Sequence, residues 1–172
     1  MSQYSSSTTS SDISPIEVLK IPNLLSNITN ILVELINKNG KGIYDKKNPF
    51  CSKFIPTISI ADYILRFKKY TNIENSTLII GLIYLDTICS RENIILQENC
   101  IHRLLLICCV LAIKFNEDLI FDNEYYAKIG GISLKEINLL EYYAIKFLDF
   151  DLFFDEQIYN KYVHYLRNEF KS

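Results

Sequence analysis

The stretch from Asn99 to Asn116, NCIHRLLLICCVLAIKFN, decides the fold. If it is helical, its apolar residues (Ile101 and all residues from Leu104 to Ile113) cover every face of the helix. The apolar run is too short to cross a bilayer, which takes about 20 residues. A helix that is apolar on all sides in such a domain must be surrounded by other helices. The sequence therefore predicts an all-α domain with this helix at its centre.

The segments on either side of the central helix also show helical spacing of apolar residues. Gly81 falls within one of these helices, and a glycine there costs about 1 kcal/mol relative to alanine. We therefore expect a close approach of a neighbouring helix at Gly81. Ser59 and Ser133 each precede an acidic residue by three positions, which is typical of a capped helix start, with a full capping box at Ser133. The predicted outer helices begin near Leu24, Ser59, Ser76, Asn123, Ser133 and Ile158.

The composition indicates one globular domain inside the cell. The chain has 172 residues, with 18 Lys and Arg against 20 Asp and Glu, and this near-neutral balance argues against a nucleic-acid-binding protein. Its five cysteines form no C-x-x-C pair, which favours buried free thiols in a reducing compartment. The stretch from Met1 to Ser14 has no apolar core typical of a secretion signal. We expect an intracellular protein, in the nucleus, the cytoplasm or both.

No catalytic or metal-binding motif stands out. The spacing of His102 from Cys108 and Cys109 on one helix does not suit a tetrahedral metal site. Asp149 and Asp151 resemble the start of a calcium loop, but the glycine and glutamate that such a loop needs further on are missing. We therefore expect no catalytic residue, no cofactor and no metal, which is typical of an interaction module.

Three charged residues lie inside apolar stretches, namely Asp86, Lys114 and Glu141. Charges are rarely fully buried unless they are paired. Each of these side chains either reaches solvent along a helix edge, pairs with another charge of the chain, or contacts the backbone of a partner. Periodicity does not decide between these alternatives.

Six groups of residues, in this order, match a known family. They are Ile58-Ser59-Ile60 with Tyr63 to Arg66 and Lys69-Tyr70; Leu82 to Asp86; Ile101 to Leu105; Ala112 to Phe115 with Glu117-Asp118; Asn123 to Ile132; and Glu136 to Glu141. Together they resemble the cyclin box, and most of all that of the P/U-type cyclins, which include fungal cyclins of the phosphate-starvation pathway.

This resemblance implies an all-α fold: a five-helix cyclin box with an additional N-terminal and C-terminal helix. The resemblance places the cyclin box over residues 58–152. Composition and periodicity predict a disordered N-terminal tail over residues 1–22, an N-terminal helix and loop over 23–57 and a C-terminal helix over 153–172. The implied function is that of a regulatory subunit, which binds a cyclin-dependent kinase and activates it by packing on the kinase helix that carries the active-site glutamate.

The resemblance also implies roles for particular residues. Lys114 and Glu141 fall at the positions that contact the kinase main chain. The surface around them is expected to be lined by Phe115, Tyr142, Ile145 and Lys146.

Asp86 falls at a position that pairs with an arginine of the first box helix, and Arg66 is the available partner for a structural ion pair screened from water. The substrate-docking patch of mitotic cyclins uses Met, Leu and Trp where this chain has Pro56, Ile60 and Tyr63.

The expected partner is thus a cyclin-dependent protein kinase, with no nucleic acid and no membrane, and the isolated chain is expected to be a non-catalytic monomer. Two rival functions stay open. A DNA-binding protein of the same fold would need a basic face and usually a second repeat. A helical enzyme with an unrecognised site would show turnover on its own. The lysine-rich loop over residues 41–53 is either a solvated linker or a phosphate-binding patch.

Overall fold

The computed structural model describes residues 23–40 and 44–168. These residues form seven helices and no strand, which confirms the predicted all-α class. The predicted tail over residues 1–22 lies outside the described residues. The helices are α1 (Leu24–Asn39), α2 (Ile60–Thr71), α3 (Asn75–Arg91), α4 (Ile101–Asn116), α5 (Asn123–Gly130), α6 (Leu134–Phe147) and α7 (Glu156–Asn168).

Helix α4 is the centre of the fold, as its sequence predicts. It packs against α2, α3, α5 and α6. Every residue from Ile101 to Ile113 is buried except Arg103. Burying a leucine or isoleucine side chain stabilises a fold by about 1.5–3 kcal/mol, so α4 makes a large contribution to stability.

The helix starts follow the predicted capping pattern with one difference. The backbone N–H of Asp62 donates to Ser59 Oγ at 3.0 Å, and that of Glu136 donates to Ser133 Oγ at 3.1 Å. The Glu136 carboxylate does not return to the backbone of Ser133, as a full capping box requires. It accepts instead from Arg103 of α4, at 2.7 Å from Nε and 2.6 Å from Nη2. Only half of the capping box at Ser133 is therefore formed, because the Glu136 carboxylate binds Arg103 and links α6 to α4.

Gly81 marks a close approach of α3 to α4, as predicted. A Cβ atom at this position would stand 3.0 Å from Cys109 Sγ and 3.2 Å from Cys109 Cα. The second neighbour is backbone and cannot move aside independently. The absence of a side chain at Gly81 thus permits the contact between the two helices.

The predicted ion pair between Arg66 and Asp86 is wrong. Asp86 is exposed, and its Oδ2 accepts a hydrogen bond of 2.6 Å from the hydroxyl of Tyr162 on α7. The Arg66 guanidinium lies over the ring of Tyr63, one turn away on its own helix, at 5.4 Å from the ring centroid. Asp86 faces α1 and α7, whereas Arg66 faces the end of α5 near Gly131, so the two charges lie on different sides of the box.

We predict that Gly81→Val lowers the free energy of unfolding by about 1–3 kcal/mol, because the added methyl groups overpack the contact with Cys109. Denaturant unfolding measures this change. Ser90→Val, at an exposed position of the same helix, controls for the lower helix propensity of valine. Equal effects of the two substitutions would contradict the close approach.

We predict that Asp86→Ala and Tyr162→Phe each lower the free energy of unfolding by about 1 kcal/mol, which is typical of one lost hydrogen bond. The double variant should lose no more than either single variant, since both remove the same interaction. Chemical denaturation of all three variants measures this coupling. A loss of about 3–5 kcal/mol in Asp86→Ala would instead indicate a stranded buried charge.

Candidate functional site

Lys114 and Glu141 meet where the end of α4 crosses the middle of α6. Lys114 Nζ lies 2.5 Å from Glu141 Oε1, and the two side chains are 29% and 18% exposed. The structure therefore brings together the two residues that the resemblance assigns to kinase contact. Periodicity alone leaves open whether these charges reach solvent, pair within the chain or contact a partner. In the structure, Lys114 and Glu141 pair with each other.

Asn123, the first residue of α5, completes this charged cluster. Its Nδ2 donates to Glu141 Oε2 at 2.7 Å and to Asn138 Oδ1 at 2.7 Å. Both carboxylate oxygens of Glu141 are thus bound within the chain, and the carboxylate is held in one orientation. The sequence offers no signal for this role, since an asparagine at a helix start is ordinary.

An exposed aromatic residue directly follows each member of the pair in the sequence. Phe115 is 42% exposed and Tyr142 is 56% exposed, as the sequence analysis expects for a partner surface. Phe153, which the sequence analysis does not single out, is 82% exposed and packs edge-on against Phe115 with 5.2 Å between ring centroids. Such exposed aromatic groups are typical of interface hot spots.

Two further predicted residues extend this surface along α6. Ile145 is partly buried and lies one turn after Glu141, while Lys146 is exposed and lies one turn after Tyr142. We call the set Lys114, Phe115, Glu141, Tyr142, Ile145, Lys146 and Phe153 the α4–α6 surface.

The segment that carries Phe153 is held in place by backbone contacts. The Tyr84 hydroxyl of α3 donates to the carbonyl oxygen of Leu152 at 2.6 Å. Asp149 and Phe150, just after α6, have φ angles of 57° and 58°, in the left-handed region that residues other than glycine rarely adopt. Each such residue costs of order 1–3 kcal/mol, which the surrounding contacts must offset. The chain therefore leaves α6 in a strained turn that leads to Phe153.

Within residues 23–40 and 44–168, no three His, Cys, Asp or Glu side chains lie close enough to hold a metal ion. No helix in these ranges is long and apolar enough to cross a membrane. Burial raises the pKa of the Cys89 thiol to about 12 and that of Cys100 to about 11, so both stay protonated near neutral pH and are poor nucleophiles.

Comparisons with known proteins identify the family of the chain. The cyclin family model matches residues 2–152. Cyclin-U1-1 of Arabidopsis thaliana is 29% identical over 86% of this chain and 74% of its own length. Cyclin-P3-1 of Oryza sativa subsp. japonica is 33% identical over 79% of this chain and 57% of its own length. PHO85 cyclin-7 of Saccharomyces cerevisiae is 32% identical over 68% of this chain and 45% of its own length.

The residues that match the family model include α1, α4 and α6. The match therefore covers the whole α4–α6 surface except Phe153. The relatives carry the U-type and P-type names that the residue pattern predicts. The chain therefore belongs to the cyclin family, as a regulatory protein of the P/U type.

Proposed function

We propose that this protein binds a cyclin-dependent protein kinase and activates it as a non-catalytic regulatory subunit. The observation that carries the proposal is the half-buried Lys114–Glu141 pair, whose members are followed in the sequence by the exposed aromatic residues Phe115 and Tyr142. Family membership and the similarity to PHO85 cyclin-7 support it. The five free thiols support a site of action in a reducing compartment, in the nucleus, the cytoplasm or both.

The α4–α6 surface has the chemistry to hold a kinase helix. In such kinases the helix that carries the active-site glutamate must stay close to the lysine that holds the ATP phosphates. Phe115, Tyr142 and Phe153 offer apolar area for that helix to bury. A partner that binds only the inward position of the helix shifts the kinase population to its active state.

The charged pair sets the register of this contact. The Lys114 ammonium has three N–H groups, and one of them donates to Glu141. The other donors can meet main-chain carbonyl groups of the kinase, which are present whatever side chains the kinase has there. Charge-assisted hydrogen bonds of this kind are about twice as strong as neutral ones.

We predict that Lys114→Ala weakens kinase binding by roughly 2–5 kcal/mol, the cost of losing a desolvated charged contact. The activity of the kinase should fall in parallel. The measurement is the affinity for the kinase that co-purifies with the tagged full chain from its source cells, together with phosphorylation by that complex.

A charge swap separates binding from folding at this site. Lys114→Glu combined with Glu141→Lys keeps an ion pair but reverses its direction. We expect the swapped variant to unfold close to the wild-type midpoint and to bind the kinase no better than Lys114→Ala. Full binding by the swapped variant would show that the pair is only structural and would overturn the assigned interface.

We predict that Phe153→Ala lowers kinase affinity by about 2 kcal/mol or more, as for an aromatic hot spot. Its stability should change by no more than about 0.5 kcal/mol, because the side chain is largely exposed. Phe54→Ala is the matched control, since Phe54 is 81% exposed and lies away from the α4–α6 surface. Equal losses in the two variants would indicate a nonspecific effect of exposed aromatic groups.

A further inference from the structure

A groove lies at the opposite end of α4 from the α4–α6 surface. It has a volume of about 400 Å³, within the usual range of ligand clefts. Its walls are the segment over residues 52–58, the start of α4, the end of α5 and one side of α2. We call it the Arg66 groove, because the Arg66 guanidinium lines it.

The charge of Arg66 has no counter-ion in the described part of the chain. Its Nε is buried without a hydrogen-bond partner, and among the described residues no carboxylate lies within ion-pair distance of the guanidinium. The group is held in place over the Tyr63 ring, 5.4 Å from its centroid. A Cβ at Gly131 would be in van der Waals contact with Arg66 Nη2, at 3.8 Å, so the absence of a side chain there leaves Nη2 less covered. A half-buried cation with donors to spare is a receptor for an anion.

Neither of the other basic residues of the groove, Arg103 and His102, offers a free charge, although His102 Nδ1 is buried without a hydrogen-bond partner. Arg103 is paired with Glu136. The His102 ring lies with Nε2 3.0 Å from the carbonyl oxygen of Ile58. Burial lowers the pKa of His102, so its ring is neutral near pH 7. One unpaired guanidinium therefore remains, and it matches the single charge of a carboxylate and its two-oxygen geometry.

The rim of the groove is apolar and continues past the cavity. Phe54 is 81% exposed and Ile55 is 51% exposed, and both lie on the segment that forms one wall. A small acid would fill the cavity without covering these side chains. A peptide chain that runs through the groove would cover them with its own apolar residues.

We propose that the Arg66 groove binds an extended acidic peptide segment of a partner protein, with an Asp or Glu side chain on Arg66 and neighbouring apolar side chains on Phe54 and Ile55. This chain lacks the Met, Leu and Trp that form the docking patch of mitotic cyclins. Its selectivity for an acidic side chain comes from Arg66.

The groove is separate from the α4–α6 surface. Arg103 and Lys114 lie eleven residues apart on α4, which corresponds to about 17 Å along the helix. A peptide at one end therefore leaves the other end free, and the proposal does not depend on kinase binding.

The test uses the full chain and four pools of short synthetic peptides. Each pool has one fixed central residue (Asp, Asn, Lys or phosphoserine) between random apolar positions. The retention of each pool on the immobilised protein is measured, and the affinity of the best Asp peptide is then determined by fluorescence anisotropy. We expect the Asp pool to be retained above the other three.

Arg66→Gln should weaken the best Asp peptide roughly 10- to 100-fold, as expected when charge-assisted hydrogen bonds are lost. Lys69→Ala is the charge control, because it removes an exposed lysine from the same helix. Phe54→Ala should also weaken binding, whereas Leu119→Ala, at an equally exposed apolar residue, should not.

Equal retention of the Asp and Asn pools would overturn the proposal, as would stronger retention of the Lys or phosphoserine pool. Unchanged affinity in both Arg66→Gln and Phe54→Ala would also overturn it. Thermal unfolding of each variant excludes loss of the fold, and Phe54→Ala keeps the test valid if Arg66→Gln unfolds. Kinase binding by Phe54→Ala is measured as well. It tells a failure of the proposed peptide binding at the Arg66 groove apart from a failure of the proposed kinase binding.

Discussion

Twelve of the thirteen residues from Ile101 to Ile113 are buried, so α4 is stable in water only while its neighbours cover it. Four helices do so, and their own apolar faces are buried in the same contacts. The close approach at Gly81 follows from this constraint, since two helices that share much apolar area pack best where one lacks a side chain. The remaining features of the domain lie on the outside of this arrangement.

The two charged side chains of α4, Arg103 and Lys114, emerge near its two ends, and both bind α6. Arg103 pairs with Glu136, and Lys114 pairs with Glu141. These side chains are partly exposed, and such pairs contribute little to stability, about 0–1 kcal/mol at the surface. Two pairs between the same helices do define how α6 is rotated against α4.

Much of the fold could be predicted from local sequence patterns. Helical spacing identified α4 as the centre, and the serine and glycine positions identified helix ends. These patterns show which face of a helix is buried, but they do not show which element covers it. Asp86 illustrates the difference, because its partner Tyr162 lies on α7, far along the chain. The pairing with Arg66, inferred from the resemblance, was wrong for this reason.

The candidate site shows the same division. Lys114 and Glu141 could be named in advance because a charge inside an apolar stretch is conspicuous in any sequence. Asn123 and Phe153 could not, since their roles depend on where the starts and ends of helices meet. Asn123 acts through Glu141, and Phe153 is placed by a strained turn and by the hydrogen bond from Tyr84.

The burial of α4 also determines how its two ends can influence each other. A helix enclosed by close-packed neighbours has no alternative arrangement of similar energy, so it acts as a rigid spacer. Sites that are well separated and share no contacts usually contribute additive free energies. Cooperation between the two ends of α4 would therefore have to come from a ligand that spans them. Binding at one end would raise the effective concentration of the ligand at the other end, by an amount that depends on the length of the ligand's linker.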